Sequence, residues 1–428
     1  MNICTSPHPL AELTLSRHLR AGDRVLVAQG AGEPAALTRA LVEAAAVVAD
    51  LTACIGMLTH DGLRSASGLR FESYGALGHA ARLQPGALMT LPMHYSDYVA
   101  HLCDGRLPVD VVLVKLSQAD ENGDHHLGMG DLHLVDAARR ARLVIAEINP
   151  HTPRTCGTIW PRDVAIDHKV YSAAPSDALP HAAARAAKDV EDVEDKIARH
   201  VAQLVPDRAV LQIGVGRLPG AIARHLHGHR DLGIHSGALT DAIVTLLETG
   251  VVTNAAKEID AGVTIGGAVI GGAALCAHIA ANPSVHIRHT SYTHSSLQIA
   301  QLSRFHAINS AIEVDLFGQI NTQTAAGREV GGIGGQVDFT RGAHLSRSGR
   351  AIVALPSTAQ GGAKPRIVPQ VETVSLARTD ADTVVTEWGI AELRGISARS
   401  RAERLIAIAD PSHRDSLNKA LHKWGQKH

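Results

Sequence analysis

The 428-residue chain has few aromatic residues, only 3% Phe, Trp and Tyr, and a formal net charge of −1. The first shortage argues against base-stacking platforms for single-stranded nucleic acid. The second leaves no basic field for a polyanion, so no nucleic-acid partner is expected. No apolar run reaches the length of a membrane span, and no membrane partner is expected either. The opening residues, Met-Asn-Ile-Cys-Thr-Ser-Pro-His-Pro-Leu, lack the basic start and apolar core of a signal peptide, and a cytoplasmic protein is expected. Cysteines number only five, Cys4, Cys54, Cys103, Cys156 and Cys276. They are scattered and odd in number, no pair has metal-ligand spacing, and a disulfide framework is not expected.

Histidine, at 26 residues, is plentiful. The densest group is His125, His126 and His133, near Asp124 and Asp131. It sits in a Gly- and Asp-rich loop with neither an H-x-x-x-H helix nor a Cys partner. Solvated loop histidines are the better reading, and no metal is expected. Hydrophobic content of 45% and charged content of 19% are those of an ordinary globular protein. The length accommodates two or three domains.

Strand and helix patterns alternate. Arg24-Val-Leu-Val-Ala reads as a strand, Gly30-Ala-Gly32-Glu33-Pro34 as a turn, and Ala35–Ala45 as a helix with Pro at its start. Strands are predicted at Val109–Lys115 and Leu143–Ile148, and a helix at Leu132–Arg142. Ser172–Ala187 is Ala- and Pro-rich, and a charged helix is predicted over Asp189–His200. The opening pattern then recurs: Asp207-Arg208-Ala-Val-Leu-Gln-Ile, Gly214-Val215-Gly216, Pro219, and a helix over Gly220–Leu226. Two related, open, largely parallel α/β domains are expected, 1–190 and 191–428. The Gly-x-Gly turn is a weak dinucleotide signal, because the next strand, Leu232–His235, ends in His235-Ser236-Gly237 without the acid a Rossmann site needs. An anion-binding or catalytic turn is the better reading. Farther on, strands predicted at Ala311–Leu316 and Ala351–Leu355 bracket Gly331-Gly332-Ile333-Gly334-Gly335, four glycines in five positions. Such a loop lets backbone N–H groups approach a ligand closely.

The second half carries a longer set of motifs. They are Gln212-Ile-Gly-Val-Gly216, Leu232-Gly-Ile-His-Ser236, Thr249-Gly-Val-Val-Thr-Asn254 and Ile308-Asn-Ser-Ala-Ile-Glu-Val-Asp-Leu-Phe-Gly-Gln319. Gly332-Ile-Gly-Gly-Gln-Val-Asp-Phe339, Ile352-Val-Ala-Leu-Pro-Ser357, Val384-Val-Thr-Glu-Trp-Gly-Ile-Ala391 and Leu405-Ile-Ala-Ile-Ala-Asp-Pro411 follow. In these the chain resembles the acetyl-CoA hydrolase/transferase family, close to the 4-hydroxybutyrate and acetate CoA-transferases. The first half matches more thinly, through Gly22-Asp-Arg-Val-Leu and Glu33-Pro34. The resemblance implies a dimer, coenzyme A bound in the second domain, and an acyl-CoA plus a small carboxylic acid as substrates. It implies a glutamate that attacks the thioester and passes through an enzyme anhydride to a glutamyl-CoA thioester. Gly214 and Gly216 would be the oxyanion turn, with Val215, Arg217 and Leu218 among the residues that bind coenzyme A. Gly331, Gly332, Gly334, Gly335 and Gln336 would seat the CoA arm.

The chain departs from the family at the chemistry. Gly237 stands where the family's glutamate follows His-Ser, and Asp241 matches an aspartate the family already has. His294, in Tyr292-Thr-His, replaces an asparagine, and Pro365 replaces a common serine. Three readings follow: hydrolysis of an acyl-CoA by water with His294 as base, transfer by direct attack of an acceptor carboxylate in a ternary complex, or a non-catalytic acyl-CoA binder.

Overall fold

A computed structural model describes residues 8–9, 13–59, 62–63, 66–84, 86–173 and 193–426. The expected boundary at 190 and the Ala- and Pro-rich stretch from 174 onward lie outside the described residues. The chain forms two compact units. The first draws in Gly237–Asp241 and Ile265–Thr293 along with the N-terminal residues to 181; the second holds the remainder.

The first unit is built on an all-parallel sheet. Its strand order is His8–Pro9, His168–Tyr171, Leu143–Ile148, Val111–Leu116, Arg24–Val27, Thr52–Cys54, Arg70–Ser73, Leu88–Thr90. Val111–Leu116 and Leu143–Ile148 are buried at every residue, which their unbroken apolar runs require of strands covered on both faces. Successive strands run outward in both directions from Arg24–Val27, so the winding reverses between it and Val111–Leu116. Two apolar layers flank the sheet, one around Leu37, Leu41 and Phe71, the other around Tyr98, Leu127 and Trp160. The turn after Arg24–Val27 is pinned from beneath: Lys115 Nζ donates to the Ala31 carbonyl at 2.5 Å. The Glu147 carboxylate accepts from the Ala36 amide at 2.8 Å, at the start of helix Ala35–Ala45.

In the second unit the strands run Gly233–Thr240, Val210–Ile213, Phe305–Ser310, Arg350–Ala354, Thr383–Thr386, Gly389–Glu392. Neighbours are parallel except the last pair, which is a hairpin. Gly233–Thr240 leaves the second unit after Ser236, and Gly237 onward belongs to the first.

Several elements differ from expectation. The strand expected to end at His235 runs on to Thr240. Gly237 is therefore extended strand backbone rather than a strand-end turn. The helix after Gly216 begins at Arg217, not Gly220, because Pro219 is accommodated within its first turn. Ala311–Leu316 is not one strand: Phe305–Ser310 forms the sheet strand, and Glu313–Asp315 pairs instead with Ile320–Asn321 and Ile367–Val368. The cause is Asp315, whose buried carboxylate accepts from the Phe317 and Gln319 amides, each at 3.0 Å, and closes the chain into a turn. Helix Val193–Leu204 covers part of the charged stretch, whose residues 189–192 lie outside the described set.

Candidate functional site

The Gly214-Val215-Gly216 turn leaves the carboxyl end of Val210–Ile213, where the winding of the second unit reverses against Phe305–Ser310. Open α/β sheets take ligands at such a point. Gln212 and Asn309 lock the two strands with reciprocal amide bonds of 2.9 and 3.1 Å. Gly214 donates its N–H to the Ile308 carbonyl at 2.9 Å. That amide is committed to the chain. The Val215 and Gly216 amides have no such partner among the described residues. Gly216 has φ +130°, a conformation that favours glycine, and caps helix Arg217–His225. Val215 is exposed, and Arg217 pairs with Glu194 at 3.1 Å. Leu218 is buried in the helix's apolar face.

Within the expected CoA seat the glycines have different reasons. A Cβ on Gly331 would lie 2.2 Å from the Thr322 carbonyl oxygen. A Cβ on Gly335 would lie 2.5 Å from both Cδ2 and Nε2 of His294. At both positions the chain's own groups occupy the space that a side chain lacks. Gly334 faces open space and is constrained only by φ +57°. Gly332 accepts from Thr322 Oγ1 through its carbonyl at 2.9 Å. Gln336 opens helix Gln336–Leu345, and its Nε2 is buried without a hydrogen-bond partner among the described residues. A buried amide donor of this kind is a group that a ligand oxygen would satisfy.

His294 is buried, its ring over Gly335 and 4.6 Å from the Phe339 ring. The second unit thus brings His294, Gly335 and Phe339 together. Gly237 is carried by the first unit, where its carbonyl oxygen would lie 2.8 Å from a Cβ on Gly267. Asp241's two oxygens accept from the Gly272 amide at 3.0 and 2.9 Å, before helix Ala273–Ile279.

The histidine group near residue 125 does not converge. His125 Nδ1 meets the Ser117 carbonyl at 2.7 Å, and Asp124 is taken by Arg162. His133 is buried beside Tyr95, where desolvation pushes its pKa down to about 3. Sequence reasoning missed a different cluster in the first unit, Cys103, Asp136 and His289. It could not be seen as a spacing, because Cys103 and His289 are 186 positions apart. Also missed was the buried network of Gln29, Tyr74, Tyr95 and Asp131. Gln29 Nε2 donates to Asp131 at 2.8 Å and lies 3.0 Å from the Tyr95 hydroxyl, and the Tyr74 hydroxyl donates to Gln29 Oε1 at 2.8 Å. Burial raises the Asp131 carboxyl to about 6, against the smaller lowering by Gln29 and Tyr95.

Comparison with known proteins agrees with this architecture. Residues 271–421 match the acetyl-CoA hydrolase/transferase C-terminal domain. The chain is 34% identical over 407 residues to a 4-hydroxybutyrate coenzyme A transferase of Clostridium kluyveri, covering 92% of each protein. It is 30% identical over 419 residues to a succinyl-CoA:cyclohexane-1-carboxylate CoA transferase of Geobacter metallireducens, covering 95% of this chain and 93% of that one. The crystal structure of RipA from Yersinia pestis superposes with a TM-score of 0.88 at 29% identity, covering 96% of each chain. With the doubly wound sheets, the glycine turn at a winding reversal and these full-length matches together, the chain belongs to the acetyl-CoA hydrolase/transferase family.

Proposed function

We propose that this protein cleaves an acyl-CoA thioester without forming an enzyme–CoA thioester, and that water is the acyl acceptor. The observation that carries the reading is Gly237, which has no side chain where the family's attacking glutamate follows His-Ser. Asp241, the nearest carboxylate along the chain, is engaged through both oxygens with the Gly272 amide. In the proposed step, water attacks the thioester carbon, the C–S bond breaks, and CoA leaves as thiolate and takes up a proton. The products are a carboxylic acid and free CoA. His294 serves as the base that removes the water proton. The Val215 and Gly216 amides stabilise the oxyanion. Gln336 and the Gly331–Gly335 backbone hold the CoA arm, a role supported by the unpartnered Gln336 Nε2.

Incubation of the purified protein with a panel of acyl-CoAs in ¹⁸O-water tests this, with and without added short-chain carboxylic acids. The reading expects free CoA without any acceptor, and one solvent oxygen in the released acid. CoA appearing on the added acid, with none released in its absence, would instead establish direct transfer. Tight acyl-CoA binding with no turnover across the panel would mark a binding protein.

A further inference from the structure

Three side chains of the first unit converge outside any role given to them above. Cys103 lies at the end of helix Tyr95–Asp104, Asp136 lies in the first turn of helix His133–Arg140, and His289 immediately precedes Thr290–Thr293. Their ligand atoms form a small triangle. His289 Nε2 is 3.2 Å from Asp136 Oδ2, Cys103 Sγ is 3.7 Å from the same oxygen, and Sγ is 3.8 Å from Nε2. Tetrahedral zinc bonds of about 2.0–2.3 Å set ligand–ligand edges of roughly 3.3 Å between nitrogen and oxygen and roughly 3.5 Å to sulfur. The observed triangle matches those edges to within a few tenths of an ångström.

We propose that Cys103, Asp136 and His289 bind one divalent zinc-like ion, with a water as fourth ligand. The donor set of one thiolate, one imidazole and one carboxylate suits a borderline-soft metal and not magnesium or calcium. Asp136 and His289 side chains are 41% and 26% exposed, which leaves a solvent-facing fourth position. The histidine must change tautomer to bind. Without metal, the Ser291 amide donates to His289 Nδ1 at 3.1 Å, so Nε2 carries the proton toward Asp136. Ser291 Oγ lies 2.8 Å from Nδ1 and accepts the proton in the other tautomer. On binding, Nδ1 gives up the bond from the Ser291 amide and takes the His289 proton, which Ser291 Oγ accepts, Nε2 turns its lone pair to the metal, and the Cys103 thiol loses its proton to solvent. Net, one proton is released per ion bound. The bound ion joins the two helices and the segment at 289, a clip that does not depend on the CoA chemistry.

The full-length protein, stripped with chelator, is titrated with Co²⁺ as the spectroscopic stand-in. A thiolate-to-cobalt charge-transfer band should grow to one equivalent, with tetrahedral d–d absorption, and bleach when one equivalent of zinc is added. Cys103→Ser should abolish the charge-transfer band, while Cys156→Ser leaves it intact. Asp136→Asn and His289→Gln should each weaken binding by at least about tenfold. Zinc should raise the melting temperature of the parent and not of Cys103→Ser. Absence of the band, or its persistence in Cys103→Ser, overturns the proposal. Cobalt bound only through exposed histidines such as His151, His227 and His422 would lack the thiolate band and counts against it equally.

Discussion

Replacing Gly237 by glutamate asks little of the backbone, because the residue sits in extended strand rather than in a left-handed turn. The remaining obstacles are the volume of the side chain and the desolvation of its charge. We expect Gly237→Glu to acquire an acyl-CoA-dependent mass increase of one CoA, stronger when His294→Asn is added; intact-protein mass spectrometry reads both. The two loop glycines separate space from conformation. Gly335→Ala must displace the His294 ring and, if His294 is the base, should remove most thioesterase activity. Gly334→Ala meets nothing and should cost only about 1–2 kcal/mol of stability, through its positive φ. Chemical denaturation and turnover, measured on both, check the contrast. Asp131 gives a pH dependence. Its folded-state pKa, about 6, is raised above its ordinary 3.8. Its contribution is therefore fully present below about pH 3.8 and lost as pH rises through about 6. At neutral pH its ionised form costs on the order of 3 kcal/mol. Asp131→Asn should gain melting temperature relative to the parent between pH 4.5 and about pH 7.5, and a constant difference across that range would contradict the assignment.

Among the elements, the strand Gly233–Thr240 depends on side chains as much as on its neighbour. The Ile234 amide donates to Asn254 Oδ1 at 2.8 Å, and Lys257 Nζ donates to the Ile234 and Val263 carbonyls at 3.1 and 2.6 Å. Asn254 also adopts φ +56°, which asparagine tolerates better than most residues. The family motif ending in Asn254 is thus a brace for the strand that leads to Gly237. Asn254→Ala strands a buried amide and adds backbone strain, and should destabilise by roughly 2–4 kcal/mol in urea melts. Asn254→Asp, which keeps the acceptor, should lose less. Regular elements were legible where pattern and local chemistry agree: Leu143–Ile148 and Ala35–Ala45 form as read. Boundaries failed where a side chain distant from the pattern decides them, as Asp315 does in breaking the Ala311–Leu316 run. In the candidate site, the Gly-x-Gly turn and the glycine loop were visible as patterns. The Gly214 amide bond to Ile308 and the His294 ring over Gly335 were not, because they join residues far apart in the chain.

Across the whole molecule, the recurrence of Asp-Arg, strand, Gly-x-Gly and helix correctly announced two largely parallel α/β sheets. It could not announce that Ile265–Thr293 packs with the first unit, since that grouping follows from long-range contacts rather than from a local signal. The family scaffold is present nearly end to end, and we propose from Gly237 that its attacking carboxylate is absent. The account therefore stands on thioester cleavage without a covalent enzyme–CoA species. Intact-protein mass spectrometry during acyl-CoA turnover, with borohydride treatment of a parallel sample, tests it most directly. The account predicts an unmodified protein mass while free CoA accumulates, and activity that borohydride leaves unchanged. A protein heavier by one CoA, with the thioester mapped to a carboxylate, would contradict it.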